Sequence, residues 1–177
     1  MKRYVITGGP CCGKTTILDM LVLSGYAIVT ETARPLIERE EKKGSDVLPW
    51  KNPRKFQRVV ARIQFWKEFS AFIRRPNIIF LDRGLVDGCG YCAVEEVPIP
   101  LIVRWFGRKR YTKVFYLERL PYINDEHRKE DPVLAAKIHH EILKAYAAFG
   151  YEVVAVPVMP PEDRANFILS HVSGDRV

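Results

Sequence analysis

An α/β fold, with a five-stranded, mainly parallel sheet covered by helices on both faces, is predicted by three features of this chain. Short apolar, β-prone runs alternate with helical segments from one end to the other. Charged residues follow the second, third and fourth of these runs, at Glu31, Asp82 and Glu118. After the first run, Gly8-Gly9-Pro10-Cys11-Cys12-Gly13-Lys14-Thr15 meets the pattern G-x-x-x-x-G-K-[ST] in full. Strands separated by helices pair in parallel, and a parallel sheet buries both of its faces. The 177 residues suit one domain spanning 1–177, without internal repeats, linkers or low-complexity segments.

Tyr4-Val5-Ile6-Thr7 reads as the first strand, and the segment from about Lys14 to Leu23 as a helix that stops at Ser24-Gly25. Ala27-Ile28-Val29-Thr30 reads as the second strand, followed by a polar helix from about Ala33 and a loop over 42–53. A long helix is expected over 54–75, with Phe56, Val59, Val60, Ile63, Trp66 and Ile73 near its apolar face. Ile78-Ile79-Phe80-Leu81 and Val114-Phe115-Tyr116-Leu117 read as buried strands, with a short segment to Pro98 and a helix over about 100–106 between them. The charged stretch 118–132 reads as a loop. The last elements are a helix over 133–149 with its stripe at Ala135, Ile138, Ile142, Tyr146 and Phe149, a strand over 152–156 and a helix over 161–172.

The glycine motif carries its chemistry in its backbone. Gly8 and Gly13 permit main-chain conformations that turn successive N–H groups, through Gly9, Pro10, Cys11, Cys12 and on to Thr16, around a phosphate. Lys14 is placed for the β- and γ-phosphates, Thr15 offers its hydroxyl to Mg²⁺, and the helix start adds the positive end of its dipole. Asp82, at the end of a buried apolar run, is placed as a Walker B aspartate is, so that its carboxylate holds Mg²⁺ opposite Thr15. The expected ligands are therefore Mg²⁺ with ATP or GTP.

Ligands in such sheets sit beyond the carboxyl ends of the strands, so Gly8, Glu31, Asp82 and Glu118 are expected at one edge. The net charge of +7 suits phosphate-bearing ligands, and also fits nucleic acid or an anionic membrane surface. No apolar run approaches the roughly 20 residues that cross a bilayer, and the expectation is a cytoplasmic chain. Cys89-Gly90-Tyr91-Cys92 has C-x-x-C spacing, but no second pair or paired histidines complete a zinc set. The four cysteines read as buried reduced thiols, with a disulfide as the alternative.

Gly8 to Thr15, Glu31-Thr32-Ala33-Arg34, Asp82-Arg83-Gly84 with Asp87, and the loop from Asp125 to Arg128 together resemble the small P-loop nucleoside and nucleotide kinases. More closely they resemble the AAA-type P-loop family that includes nicotinamide-riboside-kinase-like and GTP- or phosphoinositide-binding members. The resemblance covers nearly the whole chain and implies a three-layer P-loop NTPase fold with a lid over about 118–132. It implies that Glu31 accepts or orients the acceptor hydroxyl, with Arg34 nearby. It implies that Arg83 binds phosphate, that Asp87 holds a sugar hydroxyl or starts a helix, and that Gln64 reads an acceptor base or stands partly exposed. In the lid, Arg119 and Arg128 would close on the phosphates. No Asn-Lys-x-Asp guanine motif is present, which disfavours a GTPase switch. The expected activity is γ-phosphoryl transfer to a small hydroxyl acceptor such as a nucleoside or nucleotide, catalysed through Lys14, Glu31, Arg83 and Arg128. The alternative is a nucleotide-dependent hydrolase or binding protein that docks on anionic lipid or a partner through the basic-aromatic segment 101–111. In that segment Trp105 and Phe106 otherwise read as core. Nucleic acid is the less favoured partner, and the oligomeric state is open.

Overall fold

Alternation of side chains along the central strands sorts the core into two layers. The structure is a computed structural model that describes residues 1–9, 12–74, 76–119 and 132–173. Five strands, β1 (Lys2–Thr7), β2 (Ala27–Val29), β3 (Ile78–Asp82), β4 (Lys113–Leu117) and β5 (Val153–Val156), lie in the order β2-β3-β1-β4-β5. Every neighbouring pair is parallel. The helices are α1 (Lys14–Leu23), α2 (Ala33–Lys42), α3 (Pro53–Ile73), α4 (Asp87–Val94), α5 (Leu101–Phe106), α6 (Pro132–Ala148) and α7 (Pro161–Ser173).

Successive residues of a strand point to opposite faces. Tyr4 and Ile6 pack with Ile17 and Leu21 of α1 and Ile168 of α7, whereas Val5 packs with Ala61 of α3, Cys89 of α4 and Ile142 of α6. Both faces are thus covered, which is why the strands read as unbroken apolar runs. The buried stripe of α6 has Ala135, Ile138, Ile142 and Tyr146 as expected, whereas Phe149 falls just past the end of the helix and is only partly buried.

Three expectations are corrected or refined. The long helix α3 starts at Pro53 under an Asn52 cap, whose side chain accepts the Lys55 N–H at 3.0 Å. Its buried residues are Phe56, Gln57, Ala61, Gln64 and Glu68, while Trp66 and Ile73 are 58% and 64% exposed. The inner face is polar because hydrogen-bonding partners await it there, and apolar periodicity cannot register such a face. Second, Trp105 and Phe106 are not core: they are 73% and 47% exposed, and Val103 is the buried residue of α5. Third, the short segment before Pro98 is the helix α4 over residues 87–94, which starts at Asp87 as one of the two readings of that residue has it.

Helix α4 escaped the periodicity reading because its sequence, DGCGYCAV, is built from small residues. Those residues let it approach α6 closely. A Cβ on Gly90 would lie 2.6 Å from Ile142 Cγ1 and 2.7 Å from the Ile142 nitrogen. Cys12, Cys89 and Cys92 are free and buried, and burial pushes the Cys89 thiol up to about 12 and the Cys92 thiol up to about 11, so both stay protonated at neutral pH.

Gly90→Ala should therefore destabilise the fold by about 1–3 kcal/mol through overpacking, more than the ~1 kcal/mol that alanine gains in helix propensity. Denaturant titration measures this, and an unchanged or raised midpoint would contradict the close α4–α6 contact.

Candidate active site at the sheet edge

Parallel register brings the carboxyl ends of β1, β3 and β4 together: Ile6 is level with Asp82 and Thr7 with Tyr116. The phosphate loop leaves β1 at the centre of that edge. Gly8 and Gly13 have φ of 144° and 84°, where a side chain would strain the backbone. Gly13 caps α1, and neither a capping side chain nor an acid in the first turn occupies the amide end of that helix. Lys14 folds back on its own loop, its Nζ donating to the Gly9 oxygen at 2.8 Å and to the Gly8 oxygen at 3.4 Å. Burial, and then the Arg83 charge, lower its pKa.

Beside the loop opens a cavity of about 630 Å³ lined by Gly13, Lys14, Thr15, Thr16, Glu31, Arg34, Gln57, Gln64, Asp82, Arg83 and Asp87, among others. The structure thus gathers most of the residues singled out in the sequence around one space, Cys12 included, while Gly8 and Gly9 do not line it. Arg119 does not line it. It lies close enough to His139 and Tyr116 to shift both. Pro10, Cys11, Arg128 and most of the expected lid lie outside the described residues.

Arg83 is the junction of this site. Its Nη1 donates to the Gly8 oxygen at 3.2 Å and to Asp87 Oδ1 at 3.2 Å, and its Nε is 3.4 Å from Glu31 Oε1. The last contact is an ion pair without hydrogen-bond geometry, since Nε has no hydrogen-bond partner among the described residues. Burial opposes the arginine charge, but Tyr91, Asp87, Glu31 and Asp82 together outweigh it and raise the pKa. The residue is held at φ 66°, unusual for a side chain of this size. Asp87 is 3% exposed and starts α4, and it accepts from Thr7 Oγ1, Arg83, the Gly84 N–H and the Tyr146 hydroxyl. Four internal donors therefore hold this carboxylate.

Asp82 is different. Its Oδ1 is buried and lacks a hydrogen-bond partner among the described residues. Burial, and then the charge of Glu31, push its pKa up to about 6. An orphaned carboxylate oxygen beside the phosphate loop fits a hard divalent cation, and Thr15, in the lining of the same cavity, could offer a hydroxyl to it. Among the described residues no group of three or more His, Cys, Asp or Glu side chains forms a metal cage. A Mg²⁺ that takes most of its ligands from phosphates and water needs none.

Gln64 is buried and fully engaged. Its Oε1 accepts from the Thr32 hydroxyl at 2.6 Å, and its Nε2 donates to Glu68 and to the Arg83 oxygen, each at 3.1 Å. It is therefore not the partly exposed residue that one sequence reading allowed. One turn pair earlier on α3, Gln57 is 6% exposed, lines the same cavity and makes no side-chain hydrogen bond among the described residues. Sequence reading missed it, although its place seven residues before Gln64 puts both amides near one helix face.

His139 of α6 was also missed. Its Nδ1 accepts the Gly9 N–H at 2.8 Å, and its ring packs on Tyr116 with centroids 4.3 Å apart. That bond requires an unprotonated Nδ1. Burial, with Arg119 and Lys14 adding to it, lowers its pKa from 6.5 to about 4. Between those values the unfolded chain binds more protons than the folded one, so stability falls as pH drops through that window. His139→Asn should flatten the fall in melting temperature between pH 6.5 and 4, and an unchanged slope would contradict the neutral imidazole.

Residues 3–164 match the model of the AAA_28 family, described as an AAA domain. No curated protein matches the chain in sequence. Among solved structures, deoxyadenosine kinase from M. mycoides with bound dATP is similar over 97% of this chain and 99% of its own, at 15% identity and a TM-score of 0.67. NadR in complex with NAD and AMP-PNP is similar over 97% of this chain but 48% of its own, at 20% identity and a TM-score of 0.62. Shikimate kinase from Aquifex aeolicus is similar over 99% and 98%, at 17% identity and a TM-score of 0.54. Family match, glycine loop and sheet order agree: the chain belongs to the AAA-domain P-loop family and has the fold of the small nucleotide-kinase-like members of the P-loop class.

Proposed function

We propose that this protein is a Mg²⁺-dependent kinase that transfers the γ-phosphoryl group of ATP or GTP to a hydroxyl of a small acceptor, a nucleoside or nucleotide being the best fit. The observation that carries this reading is the cavity of about 630 Å³ that continues past Lys14 to Glu31, Arg83 and Gln57. Hydrolysis needs room for one water. This space accommodates a second substrate, and its walls offer a carboxylate, a guanidinium and a free amide. The similar proteins point the same way: deoxyadenosine kinase was solved with dATP, and NadR with AMP-PNP.

In this mechanism the loop amides and Lys14 hold the β- and γ-phosphates, Lys14 exchanging its loop carbonyls for phosphate oxygens. Thr15 and Asp82 would hold Mg²⁺, which would neutralise charge on the phosphates. Glu31 accepts the proton of the acceptor hydroxyl as its oxygen attacks the γ-phosphorus in line, and the bond from γ-phosphorus to the bridging oxygen breaks. Arg83 steadies charge on the transferring group, Arg34 stands at the exposed rim, and Arg119 and Arg128 are assigned to the phosphates as the family resemblance implies. Gln57 takes the acceptor's base, since its amide offers two donors and an acceptor to the cavity. Gln64 holds the Arg83 peptide and Asp87 holds the Arg83 side chain.

A second reading rests on the exposure of Trp105 at 73%, Leu101 at 58% and Phe106 at 47%, with Arg104, Arg108 and Lys109 beside them. Such a surface fits an anionic membrane, each cation contributing roughly 1 kcal/mol. Arg110 is not available to it, being paired with the buried Glu68.

Lys14→Ala should abolish transfer, and Glu31→Gln should lower kcat far more than donor affinity. Normal turnover by Glu31→Gln with a verified acceptor would remove the base assignment. Gln57→Leu should raise the acceptor KM roughly tenfold and leave the donor KM unchanged, as expected for one lost hydrogen bond to a base. An unchanged acceptor KM would return the base to another partner. For the second reading, Arg104→Glu with Arg108→Glu should remove sedimentation with phosphatidylserine vesicles. Absence of wild-type sedimentation with either nucleotide would eliminate it.

A further inference from the structure

Arg164 of α7 is 2% exposed, yet no carboxylate pairs with it among the described residues. Its partners are neutral carbonyls from three separate pieces of chain. Nη1 donates to the Cys12 oxygen at 2.8 Å, Nη2 to the Glu118 oxygen at 2.8 Å, and Nε to the Pro157 oxygen at 2.8 Å. Nη2 also lies 3.5 Å from the Val156 oxygen. Burying a cation against dipoles alone is costly, and burial accordingly lowers its pKa. What the cost secures is geometry: a guanidinium is a rigid planar fork, so three carbonyls bound to one fork are fixed relative to one another.

Those carbonyls belong to the phosphate loop, the chain leaving β4 and the chain leaving β5. In the sheet order β2-β3-β1-β4-β5, the acceptor cavity lies on the β3 and β2 side of the phosphate loop. With the acceptor cavity on that side of the loop, the carboxyl ends of β4 and β5 are the part of the edge left for the base of a donor nucleotide. We infer that Arg164 is a positioning residue for the donor nucleotide, fixing the base-side wall after β4 and β5 at a set distance from the phosphate cradle. The inference rests on the donor-site reading above. Arg164 touches neither phosphate nor base and acts through the three chains that do.

Arg164→Lys keeps the charge and loses the fork. Calorimetric titration of the full chain with Mg²⁺–ATP, Mg²⁺–GTP and tripolyphosphate separates the outcomes, because tripolyphosphate uses the cradle without the base wall. The variant should bind the preferred nucleoside triphosphate roughly tenfold more weakly and tripolyphosphate within about twofold of wild type. Equal loss of both ligands, which a merely structural role would give, overturns the inference, as does loss of neither. If wild type binds tripolyphosphate but neither nucleotide, the donor-site reading falls and takes the inference with it. Should Arg164→Lys not fold, the wild type decides by hydrogen exchange. Tripolyphosphate alone should slow exchange of the Val158 and Met159 amides through the fork, and unchanged exchange there overturns the inference.

Discussion

The site depends on one buried cation. Arg83 leaves the end of β3 in a left-handed conformation that costs about 1–2 kcal/mol. From there it reaches the Gly8 oxygen in the phosphate loop, Glu31 beyond β2 and Asp87 at the start of α4. Without it, the carboxylates of Glu31 and Asp87 would stand uncompensated next to Asp82, whose pKa is already pushed up to about 6. Ion pairs of this kind are fragile in one direction: removing one partner leaves the other charge buried, at a cost of several kcal/mol. The arrangement persists because it is held from behind. Thr7, the Gly84 amide and Tyr146 fix Asp87, and Gln64 fixes the Arg83 peptide.

That support extends away from the cavity through the polar inner face of α3. Gln64 donates to Glu68, and Glu68 in turn receives the Tyr111 hydroxyl at 3.0 Å and the Arg110 guanidinium. Tyr111 also accepts the Leu85 N–H at 2.6 Å, tying the strand-end loop to the start of β4. Arg110 lies over the Phe65 ring at 4.9 Å, and Phe65 meets Phe106 of α5 at 5.1 Å. The exposed aromatic surface and the candidate active site therefore share a continuous set of contacts. Satisfied networks of this type rigidify a core and tolerate little editing.

What could be read from the sequence follows the physics of each feature. The strands were legible because both faces of a parallel sheet are apolar, and the phosphate loop because glycine at two fixed positions has a backbone reason. Asp82 was legible as a lone acid closing an apolar run. Helix α4 was legible only as a possible start at Asp87 and not as a periodic element, because small residues that allow close approach to α6 erase the period that marks a helix. The inner face of α3 was misjudged for the converse reason: Gln64 and Glu68 are buried where hydrogen-bond partners exist, Gln57 is buried where the cavity opens, and neither partners distant in sequence nor a cavity leave a local trace. Arg164 and His139 escaped for the same cause, their bonds reaching 152 and 130 residues back to the phosphate loop.

The central claim is that donor and acceptor occupy one continuous site divided at Lys14 and Arg83. It is tested most directly by the melting temperature of the wild-type chain with Mg²⁺–ATP or Mg²⁺–GTP, with each of a panel of nucleosides and nucleotides, and with both together. Binding stabilises as RT ln(1 + [L]/Kd), so a true acceptor must add its own shift to that of a nonhydrolysable donor analogue. The account predicts at least one such additive pair. A donor shift that no acceptor increases, accompanied by slow phosphate release from ATP or GTP, would contradict it.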